Sequence, residues 1–170
     1  PARADVVVVG SGYTGLHAAL QTARAGRHTL VLDAEDAGWG CSTRNGGQIS
    51  TSVKPGFAVP ARRYGPNHAR EIVMEGQRSL AWFGQFVAEE GIACNYSVCG
   101  HFIGAHRPDR MEGLRRFLRQ NARLGVEGEE IPKGRVSDFV ASPQFHGGVH
   151  LADWASLHPG RLVAELVRLC

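Results

Sequence analysis

The stretch ADVVVVGSGYTGLHAALQTARAGRHTLVLDAE, residues 4–35, decides the fold because its hydrophobic pattern changes twice within it. It begins with Val6–Val9, a continuous β-branched run that is typical of a strand buried on both faces of a parallel sheet. The apolar positions then follow helical spacing, at Leu16, Ala19, Leu20 and Ala23. A second strand is predicted over Thr29–Leu32. The sequence therefore predicts a βαβ unit of about thirty residues.

A glycine signature, G-x-G-x-x-G, stands where the first strand turns into the helix. Gly10 permits the tight turn, Gly12 lets a pyrophosphate approach the backbone, and Gly15 lets the helix lie close to the strand. The first amides of the helix are natural phosphate donors. Asp33 ends the second strand, where it can accept from ribose hydroxyls and would repel a 2'-phosphate. The pattern predicts a dinucleotide site that takes NAD or FAD rather than NADP.

The segment GWGCSTRNGGQIS, residues 38–50, favours FAD over NAD. A nicotinamide enzyme normally continues from its second strand to another helix of the sheet, whereas this segment is rich in glycine and small polar residues. FAD extends past its pyrophosphate into a ribityl chain and a flat ring. Bare backbone could approach that ring, and Ser42, Asn45 and Gln48 could supply hydrogen bonds.

The stretches DVVVVGSGYTGLHAAL and VLDAEDAGWGCSTRNGGQ resemble the amino-terminal end of the FAD-dependent oxidoreductases of the D-amino-acid oxidase (DAO) family. The branch similar to gamma-glutamylputrescine oxidase is the nearest in pattern. Later stretches resemble it as well, namely EEGIACNYSVCGHFIGAH, ARLGVEGEEI and GGVHLADWASLHPGRLVAEL. The resemblance implies an α/β fold in which a Rossmann-like FAD-binding βαβ domain is interrupted by an α+β substrate domain.

The resemblance also implies domain boundaries within this chain. Residues 1–64 would be the first segment of the FAD-binding domain, 65–145 part of the substrate domain, and 146–170 the return to the FAD-binding domain. The chain lacks an initial methionine and stops inside an apolar helical pattern, so we interpret it as an amino-terminal fragment in which both domains are incomplete. We expect the fragment alone to be inactive.

By position, the family pattern implies three groups of cofactor-binding residues. The first surrounds the pyrophosphate, the second takes the adenosine ribose, and the third lines the route to the flavin ring. In that order the groups are Gly10, Gly12, Tyr13, Thr14 and Gly15; Asp33 and Ala34; and Ser42, Arg44, Asn45, Gly46, Gly47 and Gln48. The pattern assigns no catalytic residue within this chain.

Two positions depart from the family pattern. Glutamate is usual at the position of Asp33, and the shorter side chain would contact ribose less well or through water. Cys41 stands where alanine is common, which raises the idea of a covalent flavin link. We interpret Cys41 as a small buried cysteine instead.

The reaction implied by the resemblance is oxidation of the C–N bond of an amine or amino acid. A hydride passes to the flavin, the imine hydrolyses, and dioxygen or another acceptor reoxidises the cofactor. Three alternatives stay open at this point: an NAD-dependent dehydrogenase, a flavin-binding module without turnover, and a flavoprotein that modifies RNA.

Charge and composition limit the partners. The net charge of +3 comes from arginines spread along the chain without a block of like charges, which favours neither nucleic acid nor a membrane surface. The cysteines show no C-x-x-C spacing and no signal peptide precedes the first strand, so we expect a cytoplasmic protein. His146, His150 and His158 lack a supporting ligand cluster, although Asp153 is close, and we predict no metal site.

The rest of the chain carries weaker signals. Helices are predicted from about 67 to 89, from Pro108 towards Gly125, and from Pro159 onwards, where His158 shapes the start of the helix. Residues 93–96 and 100–105 are predicted to be two short strands, with a hairpin as one arrangement, and 145–151 a further strand. The stretch 52–66 is predicted to be loop, and 127–144 gives mixed signals.

Overall fold

A computed structural model describes residues 3–53 and 56–170. Strands and helices are mixed along the chain, which confirms the predicted α/β class. The strands are β1 (Val6–Val9), β2 (Thr29–Leu32), β3 (Gln48–Ser50), β4 (Ser97–Val98), β5 (His101–Gly104), β6 (Gly128–Pro132), β7 (Gly147–Leu151) and β8 (Trp154–Ser156). The α-helices are α1 (Tyr13–Arg24), α2 (Ala58–Tyr64), α3 (Pro66–Glu89), α4 (Arg110–Ala122) and α5 (Pro159–Leu169), and a 3₁₀ helix spans Lys133–Asp138.

The chain divides into two compact units. The first unit comprises the described residues up to Gln48, together with Phe86–Tyr96 and Ser156–Cys170. The second comprises the described residues of Ile49–Gln85 and Ser97–Ala155. These units reflect packing within this chain, whereas the predicted boundaries at 64 and 145 refer to complete flavin and substrate domains. The predicted domain boundaries therefore stay a prediction.

The first unit is built on the predicted βαβ arrangement. Strands β1 and β2 are parallel, in a register that pairs Val6 with Thr29 and Val9 with Leu32. Helix α1 buries its apolar stripe, and α5 packs against it with a stripe of its own. The buried side chains are Leu16, Ala19 and Leu20 of α1 and Leu162, Val163 and Leu166 of α5. Helical periodicity in the sequence therefore identifies most of this core correctly, whereas Ala23, which has the same spacing, is exposed.

Strand β1 differs from the expectation of burial on both faces. Val7 and Val9 are 53% and 85% exposed, whereas Val6 and Val8 are partly covered. Successive side chains of a strand point to opposite faces, and α1 covers one face of this two-stranded sheet. The β-branched run thus predicts the strand correctly, but its burial depends on further layers that the described residues do not supply.

The second unit is α+β. Its main sheet has the antiparallel order β5-β7-β6, and Val149 of β7 and Ile131 of β6 are fully buried. Helix α4 packs on β6 and β7 and buries Met111 against them. A further sheet has the order β3-β8-β4. The predicted strand at 145–151 is confirmed as β7, and the predicted helices as α3, α4 and α5.

The predicted strand pair at 93–96 and 100–105 is wrong in its first member. Residues 93–96 form a turn, because Cys94 donates its amide to Ile92 and Asn95 has a left-handed φ of 56°. The strand begins later, as β4, and it does not pair with β5. Gly100, with φ of 67°, separates β4 from β5, and its amide donates to the carbonyl of Trp154. The two strands consequently join different sheets.

The predicted loop at 52–66 is also partly wrong, because α2 forms over Ala58–Tyr64. Pro60 lies in the first turn of this helix, where an amide has no acceptor within the helix, so its missing N–H costs no hydrogen bond. Pro60 is buried and contributes to packing. Part of the predicted loop, residues 54 and 55, lies outside the described residues.

Candidate cofactor-binding site

The turn between β1 and α1 has the geometry that its glycines suggest. Gly10 has φ of 100°, in the left-handed region that favours glycine, and its amide donates to the carbonyl of Leu32 at 2.7 Å. This bond ties the turn to the end of β2. Gly12 is the N-cap residue of α1 and is extended. The turn therefore places the amino-terminal end of α1 beside the tips of both strands.

Gly15 lies where α1 approaches the preceding turn most closely. A methyl group added at this position would overlap the carbonyl oxygen of Gly10 and lie 3.3 Å from Cγ1 of Val8. Backbone atoms cannot yield as a flexible side chain can. Any residue other than glycine at this position would therefore require the helix to shift. This agrees with the close helix–strand packing expected at the third glycine of the signature.

The first turn of α1 forms a small polar cradle. Gly12 offers no side-chain cap, and the amide of Tyr13 donates to the hydroxyl oxygen of Ser42 at 3.1 Å. A methyl group at Gly12 would lie 2.9 Å from the same oxygen, so a side chain there would push the Ser42 hydroxyl aside. Thr14 is exposed on this turn. Helix N-termini favour anions, because backbone amides and the helix dipole act there together. A phosphate bound here would replace the Ser42 hydroxyl as the acceptor of the Tyr13 amide.

The Asp33 carboxylate lies at the tip of β2 and is held by the glycine turn. Its Oδ2 accepts from the amide of Ser11 at 2.6 Å and from the hydroxyl of Ser11 at 2.5 Å, and its Oδ1 accepts from the amide of Glu35 at 3.2 Å. The bonds from the Ser11 hydroxyl and amide, and then from Glu35, lower the pKa of Asp33 from 3.8 to about 2. Ala34 is exposed beside it. The site therefore holds a fixed negative charge at neutral pH.

We expect the low pKa of Asp33 to appear as a pH dependence of the first unit. Because the folded pKa of about 2 lies below the ordinary value of 3.8, the carboxylate contributes stability that is fully present above the ordinary value. That contribution is lost as the pH falls through the folded pKa. Carboxyl ¹³C NMR of the protein should show the Asp33 midpoint near 2, and Ser11→Ala should move it towards 3.8. A wild-type midpoint at the ordinary value would contradict the bonding.

The loop from Gly38 to Gln48 is held by Asn45. The side-chain oxygen of Asn45 accepts from the amide of Gly47 at 2.8 Å, and its nitrogen donates to the carbonyls of Cys41 at 3.1 Å and Ser42 at 3.0 Å. These bonds lie within the loop, so Asn45 shapes the segment that presents Ser42 to α1. Asn45 was predicted to contact the cofactor. In the structure its side chain supports the loop.

Gly47 joins this loop to the segment before α5. Its φ is 67°, its carbonyl accepts from the amide of Leu157 at 2.9 Å, and a methyl group there would overlap the carbonyl oxygen of Leu157. Gly46, in contrast, has open space around the same position. Gly47 therefore allows close packing of two backbone segments, whereas no other atom would lie close to a methyl group at Gly46.

The remaining predicted residues of the loop are exposed. The guanidinium of Arg44 lies over the Trp39 ring, 4.2 Å from its centroid, and Gln48 opens β3. Cys41 is exposed as well, which corrects the interpretation of a small buried cysteine. Its backbone carbonyl is engaged by Asn45, and the turn directs the side chain away from the core. The sequence offered no signal for this orientation.

His158 has the role predicted from the following proline. It is the N-cap residue of α5, and its Nδ1 accepts from the amide of Arg161 at 3.3 Å. Its own amide donates to the carbonyl of Cys94 at 2.7 Å. Within residues 3–53 and 56–170, His, Cys, Asp and Glu form no group of three or more that could hold a metal ion. In the same ranges, no helix is long and apolar enough to span a membrane.

Comparison with known proteins identifies the family. A family model described as FAD dependent oxidoreductase (DAO) matches residues 5–170. The chain belongs to this family. Gamma-glutamylputrescine oxidoreductase from Escherichia coli (strain K12) is 32% identical over 97% of the chain, which spans 39% of that protein. The predicted resemblance to the DAO family and its gamma-glutamylputrescine branch is therefore confirmed.

Solved structures share the fold of this DAO chain. Glycine oxidase from Geobacillus kaustophilus has a TM-score of 0.83 at 17% identity, over 99% of this chain and 44% of that one. L-alpha-glycerophosphate oxidase from Mycoplasma pneumoniae, solved with FAD bound, has a TM-score of 0.74 at 13% identity, over 97% of this chain and 41% of that one. Identities this low show the fold alone. The chain spans about two fifths of these proteins.

Family membership decides between the two cofactors that the glycine signature left open. DAO proteins are FAD-dependent oxidoreductases, so the predicted cofactor and enzyme class are confirmed at the level of the family. The described residues fit such a cofactor by one direct test. A side chain at Gly12 would crowd the Ser42 hydroxyl, so glycine leaves the backbone uncovered at the start of α1, and the same turn anchors Asp33 through Ser11.

Sequence reasoning missed Ser11, the buried residue at the centre of this arrangement. Its hydroxyl donates to Asp33 and accepts from the amide of Gly38 at 3.0 Å, and only 3% of the residue is exposed. The residue after the first glycine of the signature is variable in type, so the motif gave it no role. A hydroxyl at that position, with an aspartate ending the next strand, was the available signal.

Proposed function

We propose that the whole protein is an FAD-dependent oxidoreductase that oxidises the C–N bond of an amine or amino acid. The observation that carries the proposal is the glycine turn itself, which brings Gly12 and Ser42 together at the start of α1 and anchors the ionised Asp33 through Ser11. DAO family membership supports it, and so do the names of a gamma-glutamylputrescine oxidoreductase and a glycine oxidase among the similar proteins. A gamma-glutamylputrescine-like amine is the first substrate class to test.

We propose that the predicted cofactor residues divide along the FAD molecule. The pyrophosphate would lie at the start of α1, and the adenosine ribose at Asp33 and Ala34. The loop that follows would border the path to the flavin ring. The residues assigned to the first and third of these regions are Gly10, Gly12, Tyr13, Thr14 and Gly15, and Ser42, Arg44, Asn45, Gly46, Gly47 and Gln48.

The residues of this chain would act by binding and orientation. Amides at the α1 terminus would neutralise phosphate charge, and the ionised Asp33 would accept from ribose and disfavour a 2'-phosphate. Asn45 would keep the loop in the shape that carries Ser42 to α1. When bound, the flavin would supply a hydride acceptor for the carbon that bears the nitrogen. We assign no catalytic base within this chain.

We further propose the domain layout implied by the family, with residues 1–64 and 146–170 in the FAD-binding domain and 65–145 in the substrate domain. The partner would be a small amine or amino acid, without nucleic acid or a membrane. We propose a cytoplasmic location. Two of the four arginines of α4 are paired with carboxylates, Arg115 with Glu130 and Arg119 with Glu112, which weakens the case for a basic binding surface on this helix.

A visible spectrum of the whole protein tests both the cofactor and the substrate class. We expect the purified or FAD-reconstituted protein to be yellow, with flavin absorption that bleaches anaerobically when gamma-glutamylputrescine or another amine or amino acid is added. L-alpha-Glycerophosphate is the matched control, because it is an alcohol rather than an amine. Bleaching by the amine and not by the alcohol is the expected result.

Other outcomes of this experiment separate the alternatives. A protein that stays colourless and acquires no flavin absorption on reconstitution would overturn the proposal in favour of an NAD-dependent dehydrogenase. Bound FAD that no amine or amino acid reduces would indicate a flavin-binding module without turnover. Bleaching by the alcohol alone would keep the cofactor assignment and overturn the assignment to C–N bonds.

A further inference from the structure

The glycine turn contains a hydroxyl group that connects three backbone segments. The Ser11 Oγ lies between the tip of β2 and the start of the 38–48 loop, donating to Asp33 Oδ2 at 2.5 Å and accepting from the amide of Gly38 at 3.0 Å. The amide of Ser11 donates to the same Asp33 oxygen at 2.6 Å. Because Ser11 is buried and Asp33 is exposed, the hydroxyl holds the charged group from beneath.

The short aspartate makes this support important. A glutamate in the same place could reach outward, whereas the Oδ2 of Asp33 is turned into the glycine turn by the two bonds from Ser11. The other oxygen, Oδ1, accepts from the amide of Glu35, and the Asp33 residue as a whole is exposed. Ser11 therefore determines how the Asp33 carboxylate is oriented.

We propose that Ser11 is a positioning residue for adenosine binding: its hydroxyl fixes the Asp33 carboxylate in the orientation that receives the ribose of FAD. The inference rests on the proposed FAD site. It assigns Ser11 no contact with the cofactor, so its effect on binding must pass through Asp33. That indirect action separates a positioning role from a general contribution to folding.

A double-mutant cycle on FAD affinity tests the proposal in the whole protein. Ser11→Ala should weaken FAD binding by the apoprotein about tenfold, the size expected for losing one hydrogen bond to a charged group. In an Asp33→Asn background, where the charge is already gone, the same change should cost less than about twofold. Quenching of FAD fluorescence on binding measures each dissociation constant without relying on activity.

A matched control removes a hydroxyl at the opposite end of the same βαβ unit. Thr22 donates to the carbonyls of Ala18 and Ala19 and contacts the hydroxyl of Thr29, far along α1 from the turn. Thr22→Val should leave the FAD dissociation constant unchanged. In reconstituted enzyme, Ser11→Ala should raise the FAD concentration for half-maximal activity about tenfold, in line with the binding loss, and leave kcat at saturating FAD within about twofold.

The outcomes distinguish this inference from the proposed function. Equal losses from Ser11→Ala in both backgrounds, or no loss in the wild-type background, would overturn the positioning role while leaving the FAD site standing. A loss of kcat at saturating FAD would also overturn it, because the action would not be confined to cofactor binding. A wild-type apoprotein that does not bind FAD would overturn the proposed function itself.

Discussion

Replacing Gly47 with alanine is expected to destabilise the first unit and to abolish retention of flavin. The residue has φ of 67°, and an added methyl group would overlap the carbonyl oxygen of Leu157. Left-handed strain and steric overlap together should lower the free energy of unfolding by about 3 kcal/mol or more. Relief of the overlap would break the bond from the Leu157 amide to the Gly47 carbonyl and displace the loop that carries Ser42.

The neighbouring glycine supplies the control for this prediction. Gly46 has open space around its α-carbon, so Gly46→Ala should change the free energy of unfolding by no more than about 0.5 kcal/mol. Urea unfolding of the apoprotein compares the two variants, and the flavin-to-protein absorbance ratio compares Gly47→Ala with the wild type. If both variants behaved alike, the close approach of Gly47 to Leu157 would not be a feature of the protein.

The βαβ unit could be predicted from the sequence because its determinants are local. A β-branched run, a glycine turn and an apolar stripe at helical spacing lie within about thirty residues, and each favours the same arrangement. The register of β1 with β2 and the buried stripe of α1 agree with that expectation. The exposure of Val7 and Val9 could not be predicted, because burial on a second face depends on distant segments.

Elements that depend on tertiary contacts were predicted less well. The turn at 93–96 carries apolar residues at strand spacing, yet Asn95 adopts a left-handed conformation and Cys94 is buried without strand pairing. Helix α2 was hidden by Pro60, which a first helical turn accepts. At 93–96 a contact remote in sequence, from the His158 amide to the Cys94 carbonyl, accompanies the departure from a strand. At Pro60 the reason is local, because the first turn of a helix accepts proline.

The candidate site also has features that the sequence predicts and features that it does not. The glycine signature and Asp33 were recognisable because their spacing carries the chemistry. The support from Ser11, and the use of the Asn45 amide within its own loop, depend on side-chain directions that spacing does not determine. Hence sequence patterns locate the candidate site. Only the geometry shows which of its side chains support neighbouring segments.

Replacing Gly15 with alanine is expected to prevent close packing of α1 on the glycine turn. The added methyl group would overlap the Gly10 carbonyl oxygen, and neither backbone can move without shifting the start of α1. We expect the free energy of unfolding to fall by about 3 kcal/mol or more, together with loss of FAD binding. The two losses are linked, because displacing the α1 terminus would break the bond from the Tyr13 amide to Ser42 and move Gly12, where the phosphate is proposed to bind.

A second helical glycine tests whether this effect is specific to packing. Gly113 lies inside α4 with open space around it, so Gly113→Ala should be neutral or stabilising by up to about 1 kcal/mol through helix propensity. Thermal unfolding of the apoprotein, with FAD titrated by fluorescence, compares the two variants. Opposite signs for Gly15 and Gly113 would show that steric contact at the turn outweighs the ordinary gain from replacing a helical glycine. A stable Gly15→Ala variant with normal FAD affinity would instead show that the phosphate cradle does not depend on the close approach of α1 to β1.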